Sequence, residues 1–260
     1  MHEIRLAVVG DHNPGYETHR AIDHTLTLMP PDVEAAWQGT DVPLAVDAVD
    51  AVWVAPGSPY RDDDAVFRTI EIARRGGTPM LGTCGGCQYM LVEFARNVAG
   101  LDDAAHGEVD PDATEPLVAS LACSLVGQRR DIRPVAGSRL AALTGDAPFS
   151  GFHYCSYGLN DRYREALVAA GLVIGAYADD AGVEAIELPG HPFYLATLFQ
   201  PQMESLTTGM LHPILGALIA AAHAQRRGVA SVSAASRGSP AARSRDRSRS
   251  ATPRPPRPDR

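Results

Sequence analysis

Two cysteines three residues apart sit in a glycine-rich stretch, Gly82-Thr83-Cys84-Gly85-Gly86-Cys87-Gln88. A thiol attacks carbon, sulfur or oxygen only as its thiolate, so its surroundings decide its chemistry. Met80-Leu81-Gly82 reads as the end of a buried strand, and Gln88-Tyr89-Met90 as the first turn of a helix. Glycines on both sides of Cys84 suit a nucleophile elbow, where the chain turns so sharply that neighbouring side chains would clash. A helix beginning just past the sulfur favours the thiolate and leaves backbone N–H groups facing a developing oxyanion. The same stretch holds a C-x-x-C, the spacing of a thiol redox pair. A plain strand-to-helix turn with a buried cysteine fits it too.

The elements around this turn set the fold class. Ile4–Gly10, Val33–Trp37, Ala51–Ala55 and Pro79–Gly82 read as short apolar strands. Glu17–Leu28 and a segment from about Ala65 to Arg75, entered through Asp62-Asp63-Asp64 and stopped by Gly76-Gly77, read as helices between them. The elbow helix continues to about Val98. This alternation predicts an α/β protein with a parallel sheet. Ligands in such sheets bind beyond the carboxyl ends of the strands. Three loops lie there, Asp11–Tyr16, Pro56–Tyr60 and Thr83–Gly86. The stretch from about Asp102 to Gly151 is less regular, and Leu117–Leu125 and Asp131–Val135 suggest strands of an antiparallel insertion. Further on, a helix over Asp161–Gly171 and strands over Leu172–Tyr177, Glu184–Leu188 and Tyr194–Phe199 are expected. His212-Pro213 opens a last apolar helix to about His223.

Composition bounds the rest. The 260 residues carry a formal net charge of −8. Residues 1–225 are enough for one large domain with a sizeable core. Residues 226–260 are rich in Arg, Ser and Pro, have little to bury, and are expected to be a disordered tail. A basic tail could touch nucleic acid, but a solvated segment without a partner is the expectation. No run reaches the ~18 apolar residues of a membrane helix. Met1–Arg5 has no signal-peptide pattern. The four cysteines, Cys84, Cys87, Cys123 and Cys155, make no disulfide framework in a chain of this length. A cytoplasmic location is expected.

The motifs together resemble a class I glutamine amidotransferase domain, and in particular the glutaminase domain of CTP synthase. Gly82-Thr83-Cys84-Gly85-Gly86-Cys87-Gln88 is similar to that family's G-x-C-x-G-x-Q. Glu93–Leu101, Tyr157-Gly158-Leu159-Asn160, Glu187–Phe193 and His212-Pro213 resemble further stretches of it, so the likeness runs from about Ile4 to Ala222. It implies a three-layer, flavodoxin-like fold with a mostly parallel sheet. It also implies a cysteine that attacks the side-chain amide of glutamine and forms a thioester, helped by a His–Glu pair. By motif match Cys84 is the nucleophile, and the backbone N–H groups of Gly57 and Gly85 hold the oxyanion. Glu108 holds the substrate amino group and Gln88 helps to bind substrate. The implied ligand is glutamine or a similar small amide, and a separately encoded ligase is the implied partner.

Four departures stand against those matches. The family's Phe-His-Pro-Glu is here Phe199-Gln200-Pro201-Gln202, and neither glutamine can take a proton from a thiol. The arginine that clamps the substrate carboxylate is replaced by Ser156. The oxyanion loop is Pro56-Gly57-Ser58-Pro59-Tyr60, in which Pro59 removes a donor and restricts Ser58. No G-x-x-x-x-G-K-[ST] phosphate loop occurs. His153, His191 and His212 stand near motif positions as substitute bases, although a packed structural role suits each. Impaired glutamine hydrolysis is therefore expected. Two alternatives stay open: a thiol redox protein using Cys84 and Cys87, with Cys155 as a further resolving thiol, or a binding module that keeps the pocket. Cys84, Cys87, His153 and Cys155 are residue types that suit tetrahedral zinc, but Cys87 should point into the helix packing, so neither metal nor cofactor is expected.

Overall fold

The computed structural model describes residues 4–237. Strands β1 (Ile4–Val9), β2 (Val33–Gln38), β3 (Ala51–Val54) and β4 (Met80–Thr83) follow one another. They are joined by α1 (Glu17–Thr27), a single 3₁₀ turn (Val46–Ala48) and α2 (Asp63–Gly76). Helix α3 (Gly85–Asn97) leaves β4 through Cys84. Then come β5 (Val118–Ser120), β6 (Gln128–Pro134), α4 (Arg139–Thr144), β7 (Phe149–His153) and β8 (Tyr157–Leu159). Helix α5 (Arg164–Ala169), strands β9 (Val173–Ala178), β10 (Gly182–Glu187) and β11 (Tyr194–Thr197), and helices α6 (Pro201–Thr208) and α7 (Pro213–Arg237) complete the chain.

Nine strands form one sheet in the order β2-β1-β3-β4-β11-β10-β9-β6-β7. The pairs from β2 to β11 are parallel and those beyond β11 antiparallel. Strands β5 and β8 form a separate antiparallel pair. Successive residues of the central strands alternate between two cores, as the period of two demands. Val52, Val54, Met80 and Ala196 pack with α2 and α3, whereas Ala51, Trp53, Leu81 and Leu195 pack with α1 and α7. Helices therefore cover both faces of the sheet, the arrangement that the alternation of strands and helices predicts.

Several elements differ from expectation. Of Leu117–Leu125 only Val118–Ser120 is a strand, and it pairs with β8 rather than joining an insertion. Strands β6 and β7 instead extend the main sheet. Asp161–Gly171 divides into a 3₁₀ turn (Asp161–Tyr163) and α5. Helix α4 has no strong pattern of its own, and tertiary contacts hold its first turn. The carboxylate of Glu187 accepts from the backbone N–H groups of Arg139 and Leu140, both at 2.8 Å, and Ser138 caps Ala141. Helix α7 runs on to Arg237, past the expected end near His223, with no proline to stop it. The rest of the expected tail, 238–260, lies outside the described residues. Among the described residues no single helix is long and apolar enough to cross a membrane.

Helices α2 and α3 are tied by a buried ion pair. The Arg74 guanidinium donates through Nη2 to Glu93 Oε1 at 2.7 Å and through Nε to Glu93 Oε2 at 2.9 Å. Asn97 Nδ2 adds a donor to the same carboxylate at 3.0 Å. Glu93 is wholly buried. Breaking such a pair from one side leaves an uncompensated charge. Arg74→Ala is therefore expected to cost about 3–5 kcal/mol, read as a lower urea midpoint at unchanged slope.

Candidate active site

The turn between β4 and α3 is built on close backbone contact. Cys84 adopts φ 52°, ψ −111°, and is the only non-glycine residue among those described with positive φ. A Cβ on Gly86 would lie 2.1 Å from the Val54 carbonyl oxygen, and one on Gly82 would lie 2.7 Å from the Gly86 oxygen. A Cβ on Gly85 would meet Ser58 Oγ at 2.8 Å. Only glycine lets α3 start this close to β3 and to the Pro56–Tyr60 loop. Cys84 thus sits at the carboxyl edge of the sheet, just ahead of the first free N–H groups of a 13-residue helix.

Cys84 opens into a cavity of about 510 Å³. Gly57, Ser58, Gln88, Glu108, Ser156 and Gln200, all singled out from the sequence, line it too. The cavity floor is a hydrogen-bonded chain. Gln88 Nε2 donates to the Tyr157 carbonyl at 2.8 Å, and Gln88 Oε1 faces His106 Nε2 at 3.0 Å. Ser58 Oγ donates to Glu108 Oε2 at 3.1 Å. Burial pushes the Glu108 carboxyl up, and the Ser58 hydroxyl opposes that shift.

Two strand ends bring the remaining groups in. Strand β7 bends over the end of β11, where the Gln200 N–H donates to the Phe152 carbonyl at 2.8 Å. This delivers Tyr154, Cys155 and Ser156 to the cavity. The Cys84 thiol donates to the Tyr154 carbonyl at 3.7 Å. Gln202 Nε2 donates to Gln200 Oε1 at 2.7 Å, and Gln202 stands behind Gln200 rather than on the cavity wall. Gln200 Nε2 and Gln202 Oε1 are buried without a partner. Two amides thus stand in series where the family resemblance puts a His–Glu pair, and neither titrates.

The three substitute histidines do not line this cavity. His153 Nε2 is 2.9 Å from Glu184 Oε1, and both side chains are fully buried. His191 precedes β11 and lies 3.4 Å from the Ala73 carbonyl, near the amino edge of the sheet. His212 opens α7 and borders a second cavity of about 420 Å³ behind Gln200. Cys87 does not stand beside Cys84 as the C-x-x-C redox alternative would need. It packs in the core cluster of α2 and α3, on the other face from Cys84 and Cys155, and burial pushes its thiol well up. All four cysteines are free. Among the described residues no three His, Cys, Asp or Glu side chains are grouped to hold a metal.

Two histidines that sequence reasoning passed over position the site. His19 Nδ1 accepts from the Asn13 N–H at 3.0 Å, and its Nε2–H donates to the Pro56 carbonyl at 2.9 Å. In a trans peptide the C=O and N–H point opposite ways. Fixing the Pro56 oxygen toward His19 therefore aims the Gly57 N–H away from it. His106 accepts from the Glu108 N–H at Nδ1, which leaves Nε2–H to hold Gln88. Both need the neutral ring, and burial lowers both, His106 to about 4. The Asp11–Tyr16 loop had marked the strand edge near His19. No sequence pattern pointed to His106 or Glu184.

The peptidase C26 family pattern matches residues 54–202. The chain belongs to this family of class I glutamine amidotransferase domains. It is 33% identical to the CTP synthase of Geobacter sulfurreducens over 246 residues, covering 85% of this chain and 45% of that one. It is 36% identical to the CTP synthase of Pyrobaculum aerophilum over 188 residues, covering 68% and 36%. The chain thus spans less than half the length of these relatives. Among solved structures, the glutaminase domain of Trypanosoma brucei CTP synthase with bound acivicin superposes with TM-score 0.72 at 26% identity, covering 85% of this chain and 94% of that one. A GMP synthase-type protein of Thermoplasma acidophilum shares the fold at TM-score 0.61 and 17% identity, covering 87% and 98%.

The His106 ring gives the site an acid limit. Its folded pKa lies below the unfolded value of 6.5, so the unfolded chain binds more protons between about pH 4 and 6.5. Stability from this group is full above that window and is lost as the pH falls through it, by about 1.4 kcal/mol per pH unit at most. Glu108 titrates with the opposite sign. The His106 share is therefore the difference between wild type and His106→Gln. Urea denaturation at pH 7 and pH 4.5 should show the wild type losing more stability than the variant.

Proposed function

We propose that the Cys84 cavity is a glutaminase-type pocket that takes a small amide or glutamine-like ligand, with glutamine hydrolysis impaired. The observation that carries this is the Gln202-to-Gln200 hydrogen bond beside the cavity wall, two amides in series at the expected relay position. In the ordinary reaction Cys84 Sγ would attack the amide carbon. The Gly57 and Gly85 N–H groups would hold the oxyanion, ammonia would leave, and water would cleave the thioester. The attacking thiol must give up a proton and the leaving nitrogen must gain one. Gln200 can donate a hydrogen bond to the ligand but cannot carry that proton.

Losing a general base costs a factor of about 10² to 10⁴. Ser156, whose Oγ lies 2.9 Å from Ser124 Oγ, offers no charge to a substrate carboxylate. Losing such a charged partner costs about 2–5 kcal/mol. Ligand recognition then rests on Glu108, Gln88 and Ser58, a set suited to an amino or amide group. The similarity to CTP synthases supports a ligase or synthetase activity as the partner of this domain. The alternative of a binding module keeps the same pocket without turnover.

Calorimetry with glutamine is expected to give a dissociation constant on the order of millimolar or weaker, and micromolar binding would contradict the missing clamp. Gln200→His with Gln202→Glu should raise iodoacetamide labelling of Cys84 near neutral pH. Glutamine turnover should rise only when Ser156→Arg is added, because base and clamp serve different steps. Rapid turnover by the wild type, measured as ammonia release, would overturn the reading.

A further inference from the structure

Cys84 has a second sulfur beside it. The Cys84 and Cys155 side chains lie in the same core cluster and line the same cavity. The Tyr154 carbonyl that accepts from Cys84 belongs to the residue just before Cys155. Cys87, the other half of the C-x-x-C, belongs to the opposite core and does not reach the cavity. Thiol partnership here is therefore set by β7, not by spacing along α3.

We propose that Cys84 and Cys155 are a redox pair, in which a small hydroperoxide oxidises Cys84 and Cys155 resolves it as a disulfide. The Cys84 thiolate attacks the distal peroxide oxygen. The O–O bond breaks, Cys84 becomes a sulfenic acid, and the alkoxide or hydroxide leaving group takes the proton released by Cys84. Cys155 sulfur then attacks Cys84 sulfur, and the sulfenic hydroxyl leaves with the Cys155 proton as water. The hydroperoxide gains two electrons in all, and the two thiols lose them.

The cavity supports each step. Cys84 stands directly ahead of the first turn of α3, whose free backbone N–H groups face a developing negative charge. Gln200 borders the cavity and carries a buried, unpartnered Nε2 that a turn of its side chain would offer to the departing oxygen. Cys84 and Cys155 are 5% and 7% exposed, so the cavity admits a small oxidant while bulk solvent stays away. The Cys84 side chain and burial raise the Cys155 pKa, and oxidation of Cys84 removes the first of these causes, so Cys155 can then give up its proton and attack as its thiolate. A disulfide needs the sulfurs to close to about 2.05 Å, and the Cys84 thiol already reaches the Tyr154 carbonyl, in the residue next to Cys155, at 3.7 Å.

This pair rests on the placement of Cys84 at the elbow but not on glutamine as ligand. The test uses the full chain with Cys123→Ser, which removes the one exposed cysteine. One equivalent of hydrogen peroxide is added without glutamine, and peptides are mapped by mass spectrometry without reduction. The expected result is a Cys84–Cys155 cross-link that dithiothreitol reverses. In Cys155→Ser the sulfenic acid should persist, with dimedone labelling of Cys84 about tenfold above the parent. A Cys84–Cys87 cross-link would overturn the proposal. So would irreversible oxidation of Cys84 without a cross-link, or no oxidation of Cys84 under excess peroxide. The cross-link in the parent needs no active-site variant, so a misfolded Cys155→Ser does not blunt the test. Ammonia release by the reduced protein reports separately on the amidase reading.

Discussion

The contact on which the site depends is that of Gly86 with strand β3. The Val54 carbonyl occupies the space where any side chain at 86 would begin. That contact lets α3 start directly beneath Cys84 and holds the cysteine at positive φ. Cys84 then faces outward at the carboxyl edge while Cys87, one turn along, is driven into the core below. The strain of one non-glycine residue in this region is balanced by packing on both sides of the sheet. The Arg74–Glu93 pair clamps the same helix to α2 further along.

Around this rigid centre the polar groups are arranged in chains rather than as isolated donors. His106, Gln88, Ser58 and Glu108 form one chain across the cavity floor. His19, Asn13 and Pro56 form another beneath the Gly57 peptide. Each chain is anchored by a neutral buried imidazole that donates at one nitrogen and accepts at the other. This serves a pocket that must hold backbone donors steady in a low-dielectric setting, where an unsatisfied group is costly. The exception is the pair of amides at Gln200 and Gln202, which leaves one donor and one acceptor without a partner. Buried polar atoms of that kind are rare in settled cores. The free donor lies on a residue that borders the cavity, where a ligand can meet it.

The two proposed chemistries would draw on one geometry. An oxyanion and a departing peroxide oxygen both call for fixed donors next to a thiolate, so the elbow serves either. What separates them is the second group. Amide hydrolysis needs a proton carrier at the end of β11, and amides stand there. Thiol oxidation needs a second sulfur, and β7 supplies Cys155.

The sequence alone determined the layered α/β fold, because alternating apolar runs and helices can bury their faces only in that way. It also determined the elbow, since glycine at 82, 85 and 86 has a single steric meaning around a strand-to-helix turn. The cavity residues from Gly57 to Gln200 were legible through motif resemblance, as were the non-titrating residues at 200 and 202. Only the tertiary structure decided which second thiol shares the cavity with Cys84. Cys87 is three residues away in sequence but turns to the other face of the sheet, whereas Cys155 arrives because β7 bends over the end of β11. The same bend buries His153 against Glu184 and removes it from the cavity. The roles of His19 and His106 were equally hidden, because each hydrogen bond joins loops whose approach is set by sheet order. Spacing reports on neighbours within one element, but these contacts are made where separate elements meet.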